Sequence, residues 1–245
     1  MASTYKLGRI HDFSPPPVPD LSTYVTTALP TPAASVNPPA NNRTNWGMDG
    51  NDTWGDCTIA GADHVTLADA TIASEPYQAP TLDQVKQTYF GLTGGADSGL
   101  VLSAVLRAWQ TTGLFGTTLS AYAPVHVTNS VLLRQCIDFF GTAYVGVNLP
   151  KPAEGQFKTD GTGVWDLTGT AEDHDMLGGH CICLVGYDAT HYIGVTWGAT
   201  VLISLQWWAR YADEAWATIT QSFVERGGDA RGINLATLQH DLASA

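Results

Sequence analysis

The stretch Gly178-Gly-His-Cys-Ile-Cys-Leu-Val-Gly-Tyr187 carries the clearest structural signal of this 245-residue chain. A short apolar run between glycines is typical of a buried β-strand. His180 opens the run directly after a Gly-Gly turn, which places one titratable side chain at the edge of the predicted strand. A histidine at this position is either a structural residue with satisfied hydrogen bonds or a functional one, and the strand pattern leaves both interpretations open.

A second informative stretch is Gly55-Asp-Cys57, which ends a loop and begins a predicted helix. Residues 46–57 are rich in Gly, Asn and Asp and are predicted to form the loop, and residues 57–73 the helix. Because a helix N-terminus stabilises negative charge, Cys57 is a candidate nucleophilic thiolate, with a buried inert cysteine as the alternative. His64 lies two turns along the same helix, about 10 Å away, so we interpret it as a packed helix residue.

Helical periodicity dominates the first part of the remaining chain and strand periodicity the second. Further helices are predicted from a Thr81/Gln84 capping box onward, at 100–111 and at 129–140. Strands are predicted at 143–149, 181–187, 192–197, 201–205 and 215–220, with a short helix at 207–212. Helices first and strands second indicate an α+β protein with two lobes, a helical lobe at 46–125 and a β lobe at 126–245.

The N-terminal part of the chain has a different composition. Residues 14–40 hold its densest proline, which removes backbone donors and fixes φ, so this stretch cannot form a helix or a central strand. We interpret residues 1–45 as an extended arm, with a floppy tail as the alternative. An ordered arm must lie against its own domain or against another chain, and we expect contacts with neighbouring protein subunits.

Taken together, these motifs resemble the papain superfamily. In that family a Cys at a helix start pairs with a downstream His on a strand that reads His, five apolar residues, Gly-Tyr. An Asn-Ser-Trp-Gly motif follows, for which this chain has Val195-Thr-Trp-Gly198. Lys6-Leu-Gly-Arg9 and Gly50-Asn-Asp52 are similar to segments of uncharacterised papain-like proteins of bacteriophages and bacteria. The resemblance implies a two-lobed fold with a helical N-terminal lobe and an antiparallel β-sheet or barrel as the C-terminal lobe.

The resemblance also implies roles for individual residues. Cys57 would be the nucleophile and His180 the general base. Papain-like enzymes have a Gln six residues before the Cys whose amide helps to hold the oxyanion, and Asn51 occupies that position here. The family's Asn that orients the His is replaced by Val195, which cannot accept a hydrogen bond through its side chain. Thr196 is therefore the candidate orienting residue.

The same resemblance places further residues in the substrate cleft. Trp197 would shield the Cys–His pair from water. The other residues assigned to the cleft are Trp54, Gly55, Asp56 and Gly179.

A metal site is the main chemical alternative. His174, His180, Cys181 and Cys183 lie close together in sequence. Cys181 and Cys183 share one face of a strand, however, and no second Cys-x-x-Cys pair is present. We therefore predict no metal site and no cofactor.

Composition limits the partners. The chain has 11 basic and 23 acidic residues, a formal net charge of −12. The scarcity of Lys and Arg argues against binding to nucleic acid or to an anionic membrane surface. No apolar run is long enough for a transmembrane helix, and the N-terminus lacks the pattern of a secretory signal. We therefore expect four free thiols and a location in a virion or the host cytoplasm.

Two functions remain open on this sequence. One is a papain-like thiol hydrolase that cleaves peptide or other amide bonds, carried by a phage virion. The other is a non-catalytic structural component of a phage particle built on a papain-like fold. The set of Asn51, Cys57 and His180 favours chemistry, whereas the proline-rich arm and the low charged fraction of 14% favour an assembled protein.

Overall fold

The computed structural model describes residues 5–14, 16–37, 45–228 and 231–245, so residues 1–4, 15 and 38–44 of the predicted arm lie outside it. The described helices are α1 (Cys57–Ala73), α2 (Leu82–Leu92), α3 (Leu102–Thr111), α4 (Ser130–Phe140), α5 (Pro152–Gln156), α6 (Leu205–Tyr211), α7 (Gln221–Glu225) and α8 (Leu235–Ser244). The described strands are β1 (Leu119–Pro124), β2 (Ala143–Pro150), β3 (Gly163–Trp165), β4 (Met176–Tyr187), β5 (His191–Thr196), β6 (Ala199–Ser204) and β7 (Ala212–Thr220).

The strands form one seven-stranded sheet in the order β1-β7-β2-β4-β5-β6-β3. Neighbouring strands run antiparallel except for β3 and β6, which are parallel. β4 carries the quoted His180 stretch and is the middle strand, with β2 on one side and β5 on the other. The predicted α+β class, with a helical lobe and a sheet lobe, is confirmed.

Five of the described elements escape the sequence patterns, namely β1, α5, β3, α7 and α8. β1 lies within residues 46–125 but pairs with β7 at the edge of the sheet. Its first five residues are all buried, so it lacks the alternation that marks a strand in sequence. The C-terminal α8 buries only Leu238 and Leu242, too weak an apolar stripe to predict a helix.

α1 begins at Cys57 and ends at Ala73, as predicted. It is buried on most sides, which is typical of a helix at the centre of a domain. α1 packs along β4, and the Tyr144 hydroxyl on β2 donates to the Thr58 carbonyl in the first turn at 2.6 Å. The N-terminal end of α1 is therefore held against the strands that carry His180.

Two predicted bounds differ for tertiary reasons. α3 begins at Leu102 rather than at residue 100, because the main chain of Leu100 pairs with the arm. β4 begins at Met176, ahead of the predicted residue 181, because its first residues pair with the end of β2 around Pro150.

The described part of the arm is packed rather than floppy, and it is not extended throughout: Leu21–Tyr24 form a 3-10 helix, so the expectation that residues 14–40 form no helix is wrong there. Val18, Leu21 and Tyr24 are buried in the main core. Val36 and Tyr187 exchange two main-chain hydrogen bonds of 2.9 Å. These contacts place the arm against this chain's own lobes.

Candidate active site

His180 lies on β4 with its side chain fully buried. Its Nε2 atom lies 2.6 Å from Oγ1 of Thr196 on β5. Its Nδ1 atom has no hydrogen-bond partner in the described part of the chain. One ring nitrogen is thus fixed by a hydroxyl group, and the other is left for a different group.

Strand register explains why Thr196, and not Val195, contacts the histidine. Val195 pairs with Cys183 on β4, and successive strand residues point to opposite faces. Thr196 therefore projects to the face that carries His180.

Trp197 lies over the imidazole. It has a left-handed φ of 46° and leads into Gly198, so the chain turns sharply after β5. The rings of His180 and Trp197 are stacked, with centroids 4.8 Å apart and planes 28° apart. An indole at this position keeps water from one face of the histidine.

Cys57 is the first residue of α1 and is only 1% exposed. The main-chain N–H groups of Cys181, Gly8 and Arg9 face its sulfur. Burial raises the pKa of the thiol to about 11, because these N–H groups offset only part of the lost solvation. This direction is opposite to the thiolate expected at a helix N-terminus, since here the sulfur has no access to water.

His180 is neutral for the same reason. Burial lowers its pKa to about 3, and His64 and Arg9 act in the same direction. Near pH 7 the thiol and the imidazole are both uncharged in this state, so Cys57 is not the thiolate expected from its place at a helix start. His64 is a packed residue, as predicted, with its Nε2 atom 3.0 Å from the Gly47 carbonyl.

The arm itself covers the site. Lys6 N–H donates to the Asn51 carbonyl at 2.9 Å, Leu100 N–H donates to the Gly8 carbonyl at 2.8 Å, and Arg9 N–H donates to the Gly179 carbonyl at 3.2 Å. Residues 6–10 thus run between the loop before α1, the residues before α3 and the start of β4. We call this groove the cleft, and the arrangement with residues 6–10 inside it the closed state.

The main chain of the arm at Gly8 packs directly against the main chain of Gly55, in the loop before α1. A Cβ atom at Gly8 would lie 1.7 Å from the carbonyl oxygen of Gly55. Only glycine permits this approach, so residue 8 is a sequence requirement of the closed state.

Asn51 is buried, and its side-chain amide is fully engaged. Nδ2 donates to the carbonyls of Lys6 and Trp54 at 3.2 and 3.3 Å, and to Oδ1 of Asp56 at 3.2 Å. A carbonyl of the arm therefore occupies one donor direction of the amide that the resemblance assigns to the oxyanion.

The other residues assigned to the cleft before α1 have distinct surroundings. The Trp54 ring packs edge-on against Phe90, with centroids 6.0 Å apart. Gly55 N–H donates to Oδ1 of Asp97 at 2.9 Å, which fixes the loop. Asp56 is fully buried, and burial raises the pKa of its carboxyl group to about 8.

Sequence reasoning missed the part of the cleft that binds Arg9. The guanidinium group of Arg9 contacts Asp213 at 2.8 Å and Glu214 at 2.9 Å, and its side chain is 1% exposed. The available signal was Arg9, an arginine between glycine and isoleucine, and two adjacent acids far along the chain.

The described residues contain neither a candidate metal site nor a candidate membrane-spanning helix. Within residues 5–14, 16–37, 45–228 and 231–245, no group of three or more His, Cys, Asp and Glu side chains could hold a metal ion. His174 lies instead near Arg210, with nitrogens 3.0 Å apart. No helix among those residues combines the length and apolarity needed to span a membrane.

Comparisons with known proteins give a consistent fold. No known family model matches the sequence, and no curated protein matches it. The structure is similar to xylellain, a cysteine protease from Xylella fastidiosa, with a TM-score of 0.65, 13% identity and coverage of 89% of this chain and 97% of that one.

Two proform structures are also similar. Digestive procathepsin L 3 of Tenebrio molitor matches with a TM-score of 0.59 and 14% identity, over 86% of this chain and 75% of that one. The ragweed pollen cysteine protease Amb a 11 matches with a TM-score of 0.59 and 12% identity, over 89% and 75%. The chain has the fold of the papain-like cysteine proteases.

Proposed function

We propose that this protein is a thiol hydrolase that cleaves peptide or other amide bonds through Cys57 and His180, and that its own arm keeps it latent. The observation that carries the proposal is the state of His180. A buried histidine with Nε2 held 2.6 Å from Thr196 and with Nδ1 unpartnered is set up to exchange a proton at Nδ1. His64 also leaves its Nδ1 atom without a partner, and His180 differs from it in lying under Trp197 and directly after Gly179, whose carbonyl accepts a hydrogen bond from the arm.

The proposed chemistry requires the Cys57 sulfur to reach Nδ1 of His180, a hydrogen bond that the closed state does not contain. Thr196 accepts the Nε2 proton in a hydrogen bond, so Nδ1 keeps a lone pair and can take the proton of the Cys57 thiol. The thiolate attacks the carbonyl carbon, and the main-chain N–H of Cys57 and the Asn51 amide stabilise the oxyanion. The C–N bond then breaks as His180 returns the proton to the leaving amine, and water hydrolyses the acyl-thioester with His180 again acting as base.

The arm is an inhibitor rather than a substrate in the closed state. In the peptide group between Gly8 and Arg9, the N–H donates to the Gly179 carbonyl and the carbonyl accepts a hydrogen bond from Leu100. Attack by sulfur needs a carbonyl carbon near it, with the carbonyl oxygen directed at the oxyanion donors. The Gly8 carbonyl is held by Leu100 instead, and the Lys6 carbonyl, which does accept from Asn51, blocks that donor.

Departure of the arm would reverse the electrostatics of the pair. Water would reach the sulfur and the imidazole, and the desolvation that opposes both charges would fall. The positive end of α1 would then favour the thiolate. Latency therefore comes from burial of the reactive groups as well as from blocked access.

Turnover of an unfolded protein substrate tests the proposal. A full-length chain opened by Gly8→Ala is incubated with reduced, denatured casein, and new termini are identified by mass spectrometry. We expect cleavage that is abolished by Cys57→Ala or His180→Ala and retained by Cys136→Ala, which removes a buried thiol on α4. Cleavage that survives Cys57→Ala, or no cleavage by an opened chain whose Cys57 reacts with iodoacetamide, would refute the proposal.

The assembly role receives less support. The described arm residues pack against their own lobes, which argues against an arm that tethers a neighbouring subunit. A phage origin, neighbouring subunits and a virion or host-cytoplasm location stay predictions.

A further inference from the structure

The binding site of Arg9 is built to hold a guanidinium group. Nη1 of Arg9 lies 2.8 Å from Asp213 Oδ1, and Nη2 and Nε lie 2.9 and 3.2 Å from Glu214 Oε2. Nη1 also donates to the Val147 carbonyl at 3.5 Å, and Nη2 lies 3.0 Å from Nδ1 of His11. Every nitrogen of the guanidinium thus has a polar partner.

Local backbone irregularity creates this site. β2 and β7 shift register between Gly146 and Val147, so Gly146 pairs with Glu214 while Val147 pairs with Ala212. Asp213 is the extra residue of this bulge, and a bulge re-aims a side chain that alternation would send to the other face. Two consecutive carboxylates therefore reach one guanidinium.

Gly146 leaves the space that the guanidinium group of Arg9 occupies. A Cβ atom at this position would lie 2.3 Å from Nε of Arg9. We call the site formed by Gly146, the Val147 carbonyl, Asp213 and Glu214 the arginine pocket. Burial opposes the charge of Arg9, yet the two carboxylates outweigh it, so the pKa of Arg9 is raised.

The arginine pocket lies directly beside His180. On the other side of β2, Val147 pairs with His180 and Gly146 pairs with Cys181. The main-chain N–H of Arg9 donates to the carbonyl of Gly179, the residue before His180. A chain that lies in the cleft and makes this same hydrogen bond would direct one side chain into the pocket.

We propose that the arginine pocket is a specificity site that Arg9 fills in the closed state and that an arginine side chain of a polypeptide substrate fills once the arm has left. This inference rests on the proposed function and adds the substrate class, a peptide with arginine next to the scissile region. Arginine is favoured over lysine because two carboxylates and a carbonyl match a planar fork of donors better than a single ammonium group.

Paired peptides test this recognition without catalysis. The full-length chain carries Gly8→Ala and Arg9→Ala to vacate the pocket, and Cys57→Ala to prevent turnover. The probes are the acetylated, amidated peptide Lys-Leu-Gly-Arg-Ile and the same peptide with citrulline, the neutral analogue of arginine. We expect the arginine peptide to bind at least about 10-fold more tightly, because bidentate charge-assisted hydrogen bonds are lost with citrulline.

Substitutions then locate the recognition. Glu214→Gln should reduce the arginine preference to less than about 3-fold, while Glu225→Gln, an exposed carboxylate on α7, should leave it unchanged. The comparison is repeated on Arg9→Ala with Cys57→Ala alone, so the test remains available if the chain with Gly8→Ala does not fold. Three results would refute the proposal that the arginine pocket recognises arginine. These are equal affinity for both peptides, binding of neither peptide, and an arginine preference that survives Glu214→Gln.

Turnover measurements separate this proposal from the proposed function. If opened chains with Cys57 intact cleave casein without preference for arginine, the proposed arginine specificity is refuted and the proposed hydrolase activity is supported. If the arginine preference in binding holds and nothing is cleaved, the hydrolase is overturned and the pocket stands as a binding site for the arm.

Discussion

The cleft has two halves, the arginine pocket and the surroundings of Cys57 and His180, and buried polar groups have opposite charge states in them. In the arginine pocket the buried groups are charged and paired, with Arg9 between Asp213 and Glu214. Around the candidate catalytic pair the buried groups are neutral, with the pKa of Cys57 raised to about 11 and the pKa of His180 lowered to about 3, both by burial.

The groups that hold the arm in the cleft are therefore different from the groups that the arm inhibits. Paired charges and main-chain hydrogen bonds fix residues 6–10, and the thiol and imidazole contribute no charge to the closed state. Each half can therefore be changed without direct damage to the other, and the experiments below use that independence in order of expected effect.

Gly8→Ala should have the largest effect, because it expels the arm and leaves both halves chemically intact. The clash of a Cβ atom with Gly55 O should destabilise the closed state by about 3 kcal/mol, or about 100-fold in the population of the open state. The alkylation rate of Cys57 by iodoacetamide, followed by peptide mass spectrometry, should rise by about that factor. Gly91→Ala, at a helical glycine with nothing within 4 Å, is the matched control and should leave the rate unchanged.

Thr196→Val tests whether the neutral half of the cleft, around Cys57 and His180, is organised for catalysis. In the opened Gly8→Ala chain, loss of the Nε2 partner should lower kcat by about 30-fold with little change in KM, since a misoriented base costs about 2 kcal/mol. Thr196→Ser keeps the hydroxyl and should restore most of the rate. If Thr196→Val lowers the melting temperature but not kcat, Thr196 is a packing residue and not a positioning residue.

Asp56→Asn tests the neutral half by its pH dependence. Asp56 has a folded-state pKa of about 8, raised by burial from 3.8, so the folded state holds a proton that the unfolded chain has lost between pH 4 and pH 8. This group therefore makes the protein less stable as pH rises through that window, with a slope of about 1.4 kcal/mol per pH unit. Urea unfolding at several pH values should show a flatter profile for Asp56→Asn.

The comparison for that series is Asp52→Asn, an exposed carboxylate in the same loop whose charge also raises the pKa of Asp56, though less than burial does. It should flatten the profile less than Asp56→Asn does. A profile for Asp56→Asn that parallels the unchanged chain would mean that Asp56 is ionised in the folded protein, and that this half of the cleft is not uniformly neutral.

Tyr5→Ala should have the smallest effect on the closed state. The Tyr5 ring stacks on Trp197 with centroids 4.4 Å apart, which links the arm to the residue that covers His180. Loss of one aromatic pair should weaken arm binding by about 1 kcal/mol and raise Cys57 alkylation about 5-fold. Phe13→Ala removes an arm aromatic that is 90% exposed and lies edge-on to His11 rather than on Trp197, so it should have a smaller effect, and equal effects of the two substitutions would show that the stack on Trp197 does not matter.

Local patterns predicted much of the fold. The capping box at Thr81 and Gln84 is present, α1 has the predicted ends, and the predicted residues 181–187 lie in a strand. These features depend on residue periodicity and capping, which a single sequence displays. β1 has no such periodicity, because both of its faces are buried, and it was missed.

The sequence alone indicated the candidate reactive residues and that most helices precede most strands, since a cysteine at a helix start and a histidine in an apolar strand are local facts. Only the tertiary structure decided that Thr196 fixes the histidine, that residues 6–10 fill the cleft, and that Arg9 lies between two carboxylates from the far end of the chain. The reason is that charge state and pairing depend on what excludes water from a group, and those contacts join residues distant in sequence.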